Sequence, residues 1–300
     1  MRVLITGATG LVGSHITSLF KEKDIEINYL TTSRNKIEKL PGYQGFYWDP
    51  EKGEIEESAL TGVNAIIHLA GANIAERWTE SYKKEIIDSR VKSAQLLYQT
   101  LENKNHQVTH FISASGIGVY RDSLEKLHTE DDYEKDNTFV AEVVDQWEAA
   151  AQKFSGAGLK VSVVRLGVIL AKEGGALPKL MEPTAFNAGA PLGSGKQWQS
   201  WIHIQDVAQI FHFILENGLE GVYNAVAPNP VSNKELVQHI AEKMDRSVWL
   251  PRIPAVALKI VLGEMAAVVL TSQLVSSEKI QDAGYRFTYK NLAKALDDLI

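Results

Sequence analysis

No cysteine occurs in the 300 residues. That excludes disulfides, thiolate metal sites and a cysteine nucleophile, and it fits a reducing compartment. Long apolar runs are also missing. The greasiest region, Val256 to Val275, is broken by Lys259, Gly263, Glu264 and Gln273, and its longest unbroken stretch is Met265 to Leu270. A membrane span needs about 20 apolar residues, so this region is expected to be a buried or lid-like helix, with no membrane partner. Clustered cations are absent too: 31 Lys and Arg face 37 Asp and Glu, a net charge of −6, which argues against a nucleic-acid surface. The eight histidines are scattered, and none stands at ligand spacing beside carboxylates, so no metal is expected. An apolar, strand-like segment starts almost at once, so no cleaved leader is expected, and the expected location is cytoplasmic.

What remains is an ordinary globular composition, 45% hydrophobic and 23% charged, enough for one large or two smaller domains. The chain is organised around its opening, MRVLITGATGLVG. An apolar strand, Val3-Leu4-Ile5, runs into Gly7, Thr9, Gly10, Leu11, Val12 and Gly13, and a helical pattern follows from Ser14 to Lys23. The glycines at 7, 10 and 13 suit a tight turn, close backbone approach to a pyrophosphate, and close packing of helix on strand. The helix N-terminus would then offer unpaired N–H groups to phosphate. By itself a glycine triplet also describes an ordinary strand-to-helix turn.

A second strand, Glu26 to Thr32, leads to the position about 20 residues past the third glycine, where a dinucleotide site for NAD carries an acid. This chain has Ser33-Arg34 instead. Arg34 can fork onto a ribose 2′-phosphate, which points to NADP(H), or it is a solvated loop arginine. Asp49, at the end of a third strand, either reaches the adenine edge or shapes a turn. Ala65 to Gly71 reads as a central parallel strand whose end, Leu69-Ala70-Gly71, lies beside the cofactor, with His68 as a packing histidine. A long helix, Thr79 to Glu102, is followed by a strand, Thr109 to Ile112, and a hydroxyl-rich tip, Ser113 to Tyr120. The helix Phe139 to Phe154 and the strand Lys160 to Arg165 complete the alternation.

This pattern predicts an α/β fold, a Rossmann-type doubly wound parallel sheet with a smaller, mostly helical C-terminal substrate lobe. Residues 1–167 and 203–225 are assigned to the dinucleotide-binding domain, and 168–202 with 226–300 to the lobe. Gly174 to Gly195 is rich in Gly and Pro and is expected to be loop, and the loops between Arg165 and Trp201 are expected to sit at the mouth between them. Trp201 to Leu215 reads as helix, Gly221 to Ala225 as a short strand, and Ser232 to Met244, Pro254 to Val275 and Leu292 to Leu299 as helices.

The chain resembles the atypical extended short-chain dehydrogenase/reductases, in the group labelled nucleoside-diphosphate-sugar epimerase-like or cell-division-inhibitor-like. The likeness is carried almost end to end by ITGATGLVG, HLAGANIAERW, KKEIIDSRV, SASGIGVY, WEAAA, VVRLGVILAKEGGAL, GSGKQWQSWIHIQD, GVYNAVAPNPVSN, LGEMA and AGYRFTY. It implies NADP(H), contacted by the glycine loop, Ser33, Arg34, Leu69, Ala70, Glu85, Arg90 and the neighbourhood of Ile169. It also implies a small-molecule substrate, with a homodimer as the assembly considered.

In the typical member of the wider superfamily that this resemblance implies, a Tyr-x-x-x-Lys pair, one helical turn apart, moves the proton while hydride passes to or from nicotinamide, and the resembled group departs from that pattern. The corresponding helix here begins Phe139-Val140-Ala141-Glu142-Val143, with neither residue. Ser115 and Tyr120 are the catalytic candidates that remain, although small residues at a strand end also serve cofactor packing. Tyr133-Glu134-Lys135 has the residue types at the wrong spacing. Arg165, Gln197 and His203 are candidate substrate contacts, while Trp201 reads as packing. Two functions therefore stand: an epimerase- or dehydratase-like oxidoreductase with a non-standard proton route, and a non-catalytic NADP(H)-binding redox sensor.

Overall fold

A computed structural model describes residues 1–132 and 136–300. Tyr133, Glu134 and Lys135 lie outside the described residues. Seven parallel strands form the central sheet among the described residues: β1 (Arg2–Thr6), β2 (Glu26–Thr31), β3 (Tyr43–Asp49), β4 (Ala65–His68), β5 (His110–Gly116), β6 (Lys160–Leu166) and, late in the chain, Gly221–Ala225. Their spatial order is β3-β2-β1-β4-β5-β6, with Gly221–Ala225 outermost beside β6, and two-residue strands pair antiparallel with β3. The chain winds outward from β1 in both directions, so the loops after β1 and β4 diverge and open a crevice at their carboxyl ends.

Alternate residues of the strands feed two apolar layers. Val3, Ile5, Ile67, Ile112 and Val164 pack under α1 (Leu11–Glu22) on one face. Leu4, Ile66, Phe111 and Val163 pack under α2 (Glu80–Glu102) and α3 (Phe139–Gly156) on the other. Thr79 and Thr138 cap α2 and α3 by accepting the N–H groups of Tyr82 and Ala141. A third core, with Leu170, Leu177, Trp201, Leu236, Ile240 and Leu296, holds the C-terminal elements together.

Four expectations change. Ser113 to Gly116 is not a loop tip: these residues extend β5 in register with β6, from Ser113↔Val163 to Gly116↔Leu166. Trp201 to His203 is not helix but a strand pairing in parallel with Val168–Leu170, because the His203 ring accepts the Gln205 N–H and starts the helix one residue later. These two strands are β7 (Val168–Leu170) and β8 (Trp201–His203), the outer sheet strand Gly221–Ala225 becomes β9, and the helix after β8 is α5 (Ile204–Asn217). The Gly/Pro-rich stretch contains a helix, α4 (Leu177–Ala185), since Pro178 falls in its first turn, where a missing N–H costs nothing.

The fourth change is at Pro254 to Val275. After α6 (Asn233–Lys243), this stretch is two short helices, α7 (Ala255–Leu262) and α8 (Ala266–Leu270), followed by a two-residue strand, Leu274–Val275. They break at Gly263, whose φ of 62° and ψ of −140° belong to glycine. The segment is also not buried: Val256, Ile260 and Val261 are exposed, and Leu258 is the residue α7 buries. Two helices complete the chain, α9 (Glu278–Asp282) and α10 (Leu292–Leu299). Among the described residues no helix is long and apolar enough to cross a membrane.

His68, on β4, is fully buried, hydrogen-bonds Ser93 Oγ through Nε2 at 2.8 Å, and stacks on Phe111. Desolvation, with the nearby Arg90 charge, depresses its pKa to about 3. The unfolded chain therefore takes up a proton from about pH 6.5 downward that the folded chain refuses, so stability falls with pH below that point. Urea unfolding of wild type and H68Q at pH 7 and pH 5 measures this, and the variant is expected to lose on the order of 2 kcal/mol less over that interval. Equal losses would remove His68 from the pH dependence.

Candidate functional site

The turn after β1 is closed by a hydrogen bond from Gly10 N–H to Gly7 O at 3.0 Å, with Gly7 at φ 70°. Gly10 caps α1 without any side-chain hydrogen bond, and among the described residues the N–H groups of Leu11, Val12 and Gly13 have no partner. The positive end of a 12-residue helix thus faces the crevice. A methyl built on Gly13 would fall 2.1 Å from Gly7 O, so only glycine lets α1 lie against the turn. One built on Gly7 would fall 3.1 Å from the Leu69 carbonyl, so the ends of β1 and β4 run past each other at backbone contact.

Thr6 holds that arrangement, its Oγ1 accepting both Leu69 N–H and Ala70 N–H at 3.0 Å. Sequence reasoning passed over Thr6, although a hydroxyl on the last strand residue before the glycine turn was the available signal. Leu11 reaches across to Gly174, and Gly175, at φ 72°, leaves no room for a side chain beside Ile169 O. The residues around Ile169 are thereby brought against the glycine loop.

Arg34 is exposed after β2, its guanidinium 3.7 Å from the centre of the Tyr47 ring, with no carboxylate paired to it among the described residues. Ser33 N–H is held by Thr31 Oγ1. Asp49 shapes a turn, accepting from Glu51 N–H, Lys52 N–H and Lys52 Nζ. Arg90 is buried against Gly71, donates to Ile86 O at 2.8 Å and Ala72 O at 3.2 Å, and lies over Trp147. Its Nε has no partner, and burial lowers its pKa to about 10. A buried cation without a counter-charge beside the end of β4, next to the uncapped α1 at the end of neighbouring β1, fits an anionic ligand lying across the crevice. Glu85 is exposed on α2.

Ser115 and Tyr120 belong to one buried network. Ser115 Oγ donates to Glu148 Oε1 at 2.6 Å, and Arg165 grips the same carboxylate through Nε and Nη2, each at 2.8 Å. Arg165 Nη1 donates to Tyr120 Oη at 2.9 Å, and that hydroxyl donates to Asn224 Oδ1 at 2.8 Å. Burial pushes the Tyr120 phenol up to about 12, against the opposing influence of Arg165, so it keeps its proton at neutral pH. The structure thus brings three predicted residues together, and joins to them Glu148 and Asn224, which their sequence separation concealed. Each polar group in the network already has a partner within it.

The N-terminus of α3 carries no proton-bearing pair. Phe139 packs edge-on against Trp78 with ring centroids 5.0 Å apart, Val143 is buried, and a methyl on Gly118 would strike Val140 at 2.3 Å. The ionisable group against Phe139 is Lys83 Nζ, 5.5 Å from the ring centroid. Gln197 donates to Leu192 O and Val269 O, within the C-terminal elements. His203 is fully buried, stacked on Tyr289 at 3.7 Å, with burial lowering its pKa. Trp201 is fully buried and donates to Asn229 O. Among the described residues no three His, Asp or Glu side chains converge as metal ligands would.

Comparison with known proteins fits this geometry. Residues 3–225 match the model of the NAD dependent epimerase/dehydratase family, and residues 253–299 match a domain of unknown function. "Epimerase family protein YfhF" of Bacillus subtilis is 35% identical over 301 residues, covering 100% of this chain and 98% of that protein. The crystal structure of human epimerase family protein SDR39U1 (isoform 2) with NADPH is 31% identical, covers 100% of this chain and 99% of that one, and superposes with a TM-score of 0.87. A nucleoside-diphosphate sugar epimerase from Corynebacterium glutamicum is also 31% identical, with a TM-score of 0.78 over 99% of this chain and 57% of that one.

Proposed function

The chain belongs to the NAD dependent epimerase/dehydratase family, and from that premise we propose that it is an NADP(H)-dependent oxidoreductase of epimerase type acting on a small, nucleotide-sugar-like molecule. Residues 1–167 and 203–225 hold the cofactor, and 168–202 with 226–300 form the substrate lobe. When bound, the nicotinamide supplies or accepts hydride. The glycine loop and the α1 N-terminus take the pyrophosphate, and Arg34, stacked on Tyr47, takes the 2′-phosphate. Leu69, Ala70, Gly71 and Arg90 line the path towards the nicotinamide, with Ile169 across from them.

The observation that carries the cofactor reading is the unpaired Arg34 beside the end of β2, where an acid would favour NAD. The human relative solved with NADPH supports it. Titration by cofactor fluorescence is expected to show NADPH bound far more tightly than NADH. R34A is expected to weaken NADPH about 10- to 100-fold, the scale of a charge-assisted contact, and to leave NADH unchanged. An unchanged preference would assign the phosphate to another cation.

A second reading, a non-catalytic NADP(H) sensor, is favoured by one observation: Phe139 and Val143 are packed in apolar contacts, and the hydroxyls of Ser115 and Tyr120 are already engaged. Incubation with labelled NADPH and a panel of carbonyl compounds and nucleotide sugars separates the two. Turnover establishes the enzyme, and its absence across the panel favours the sensor.

A further inference from the structure

Lys83 and Glu264 lie in two of the sequence motifs, KKEIIDSRV and LGEMA, and although the cofactor reading draws Arg90 from the first of them, it uses neither of these two residues, which meet in the structure. Lys83 Nζ sits 2.6 Å from Glu264 Oε2 and 3.2 Å from Glu80 Oε1, and its side chain retains 18% exposure. Lys83 stands on the first turn of α2, with its Nζ 5.5 Å from the ring centroid of Phe139, the first residue of α3. Glu264 stands immediately after the Gly263 break, between α7 and α8.

The segment that carries Glu264 is tied down at its two ends. Before it, Gly193 N–H donates to Ile253 O and Ile253 N–H to Pro191 O. After it, Val269 O accepts from Gln197, and Leu270 closes on Gly193. In between, α7 buries only Leu258 and α8 only Ala266, while Val256, Ile260 and Val261 turn to solvent. Such a stretch has little apolar contact to keep it in place and opens locally at low cost. Its carboxylate contact with the dinucleotide-binding elements is the Lys83–Glu264 pair.

We propose that residues 255–268 are the lid of the substrate mouth and that Lys83–Glu264 is its latch, with Gly263 as the bend on which it moves. The lid closes over Trp78 and Phe139, excludes water from the nicotinamide end of the cleft, and lifts to admit substrate. The proposal rests on the cofactor reading only for what lies beneath the lid.

Hydrogen exchange read by mass spectrometry tests it on the full chain. E264Q and K83M are each expected to speed exchange in 255–268 and in 74–83 by about two- to fivefold, the scale of an exposed ion pair, and to leave β1, β4 and β5 unchanged. Combining K83E with E264K in an E80Q background, so that the new carboxylate does not face Glu80, restores the pair with reversed charges and is expected to return exchange towards wild type. Unchanged exchange in both single variants overturns the latch, as does acceleration spread evenly over the chain or failure of the reversed pair to restore protection. NADPH affinity, measured on the same samples, reports separately on the cofactor reading: wild type that binds no NADPH defeats that reading and leaves the latch result standing.

Discussion

Gly13→Ala is expected to weaken cofactor binding severely while the rest of the sheet survives. Gly13 does not need glycine for its backbone angles, since it is not among the residues with positive φ. It needs glycine for space. The added methyl would lie 2.1 Å from Gly7 O and 2.7 Å from Ala8 Cα, both backbone atoms that cannot rotate away. α1 must therefore shift off the turn, carrying with it the N–H groups that face the crevice. Overpacking of this kind costs about 1–3 kcal/mol, and the displaced anion site should weaken NADPH by 100-fold or more, on the order of 3 kcal/mol. Gly10→Ala is the matched control. Its methyl meets Gly7 O at 3.3 Å, a contact relieved by a small shift, so it should fold near wild type. A G13A protein that binds NADPH normally and melts at the wild-type temperature would refute this account of the loop.

The other large effect concerns Arg165. Replacing it by Met removes both donors to Glu148 and one to Tyr120, and leaves this α3 carboxylate, among the described residues, with the Ser115 hydroxyl as its hydrogen-bond partner. Breaking a buried pair by deleting one partner costs about 3–5 kcal/mol. Glu148 keeps 18% side-chain exposure, so the lower end, about 3 kcal/mol by urea unfolding, is expected. Adding Glu148→Leu to R165M should recover most of that loss, because the stranded charge is gone. A loss under about 1 kcal/mol for R165M, or no recovery in the double variant, would show that the network does not hold β5, α3 and β6 together. NADPH affinity should change little in either protein, which distinguishes an anchoring network from a cofactor contact.

The two experiments mark where local pattern was informative. The glycine loop, the strand after it and α1 are contiguous, so their spacing declared a dinucleotide site, and Ser33-Arg34 sits within one strand of it. The same locality exposed what is missing, since a Tyr-x-x-x-Lys pair is a one-turn pattern and Phe139 with Val143 can be read directly. Local preference gives way where a long-range partner supplies the pairing. Ser113 to Gly116 looked like a tip because small residues disfavour strands in isolation, yet pairing with β6 supplies their ladder. Trp201 to His203 looked helical until β7 took it as a neighbour.

By itself, then, the sequence determined the doubly wound order of elements, the cofactor loop and the lack of the usual proton-moving pair, because each is written in periods and spacings of a few residues. Only the tertiary structure decided that Ser115, Tyr120 and Arg165 share a network with Glu148 and Asn224, that Arg90 is buried without a counter-charge, and that Lys83 meets Glu264. Those facts depend on residues up to 181 positions apart along the chain, as with Lys83 and Glu264, and no local spacing encodes which of many charged side chains will meet.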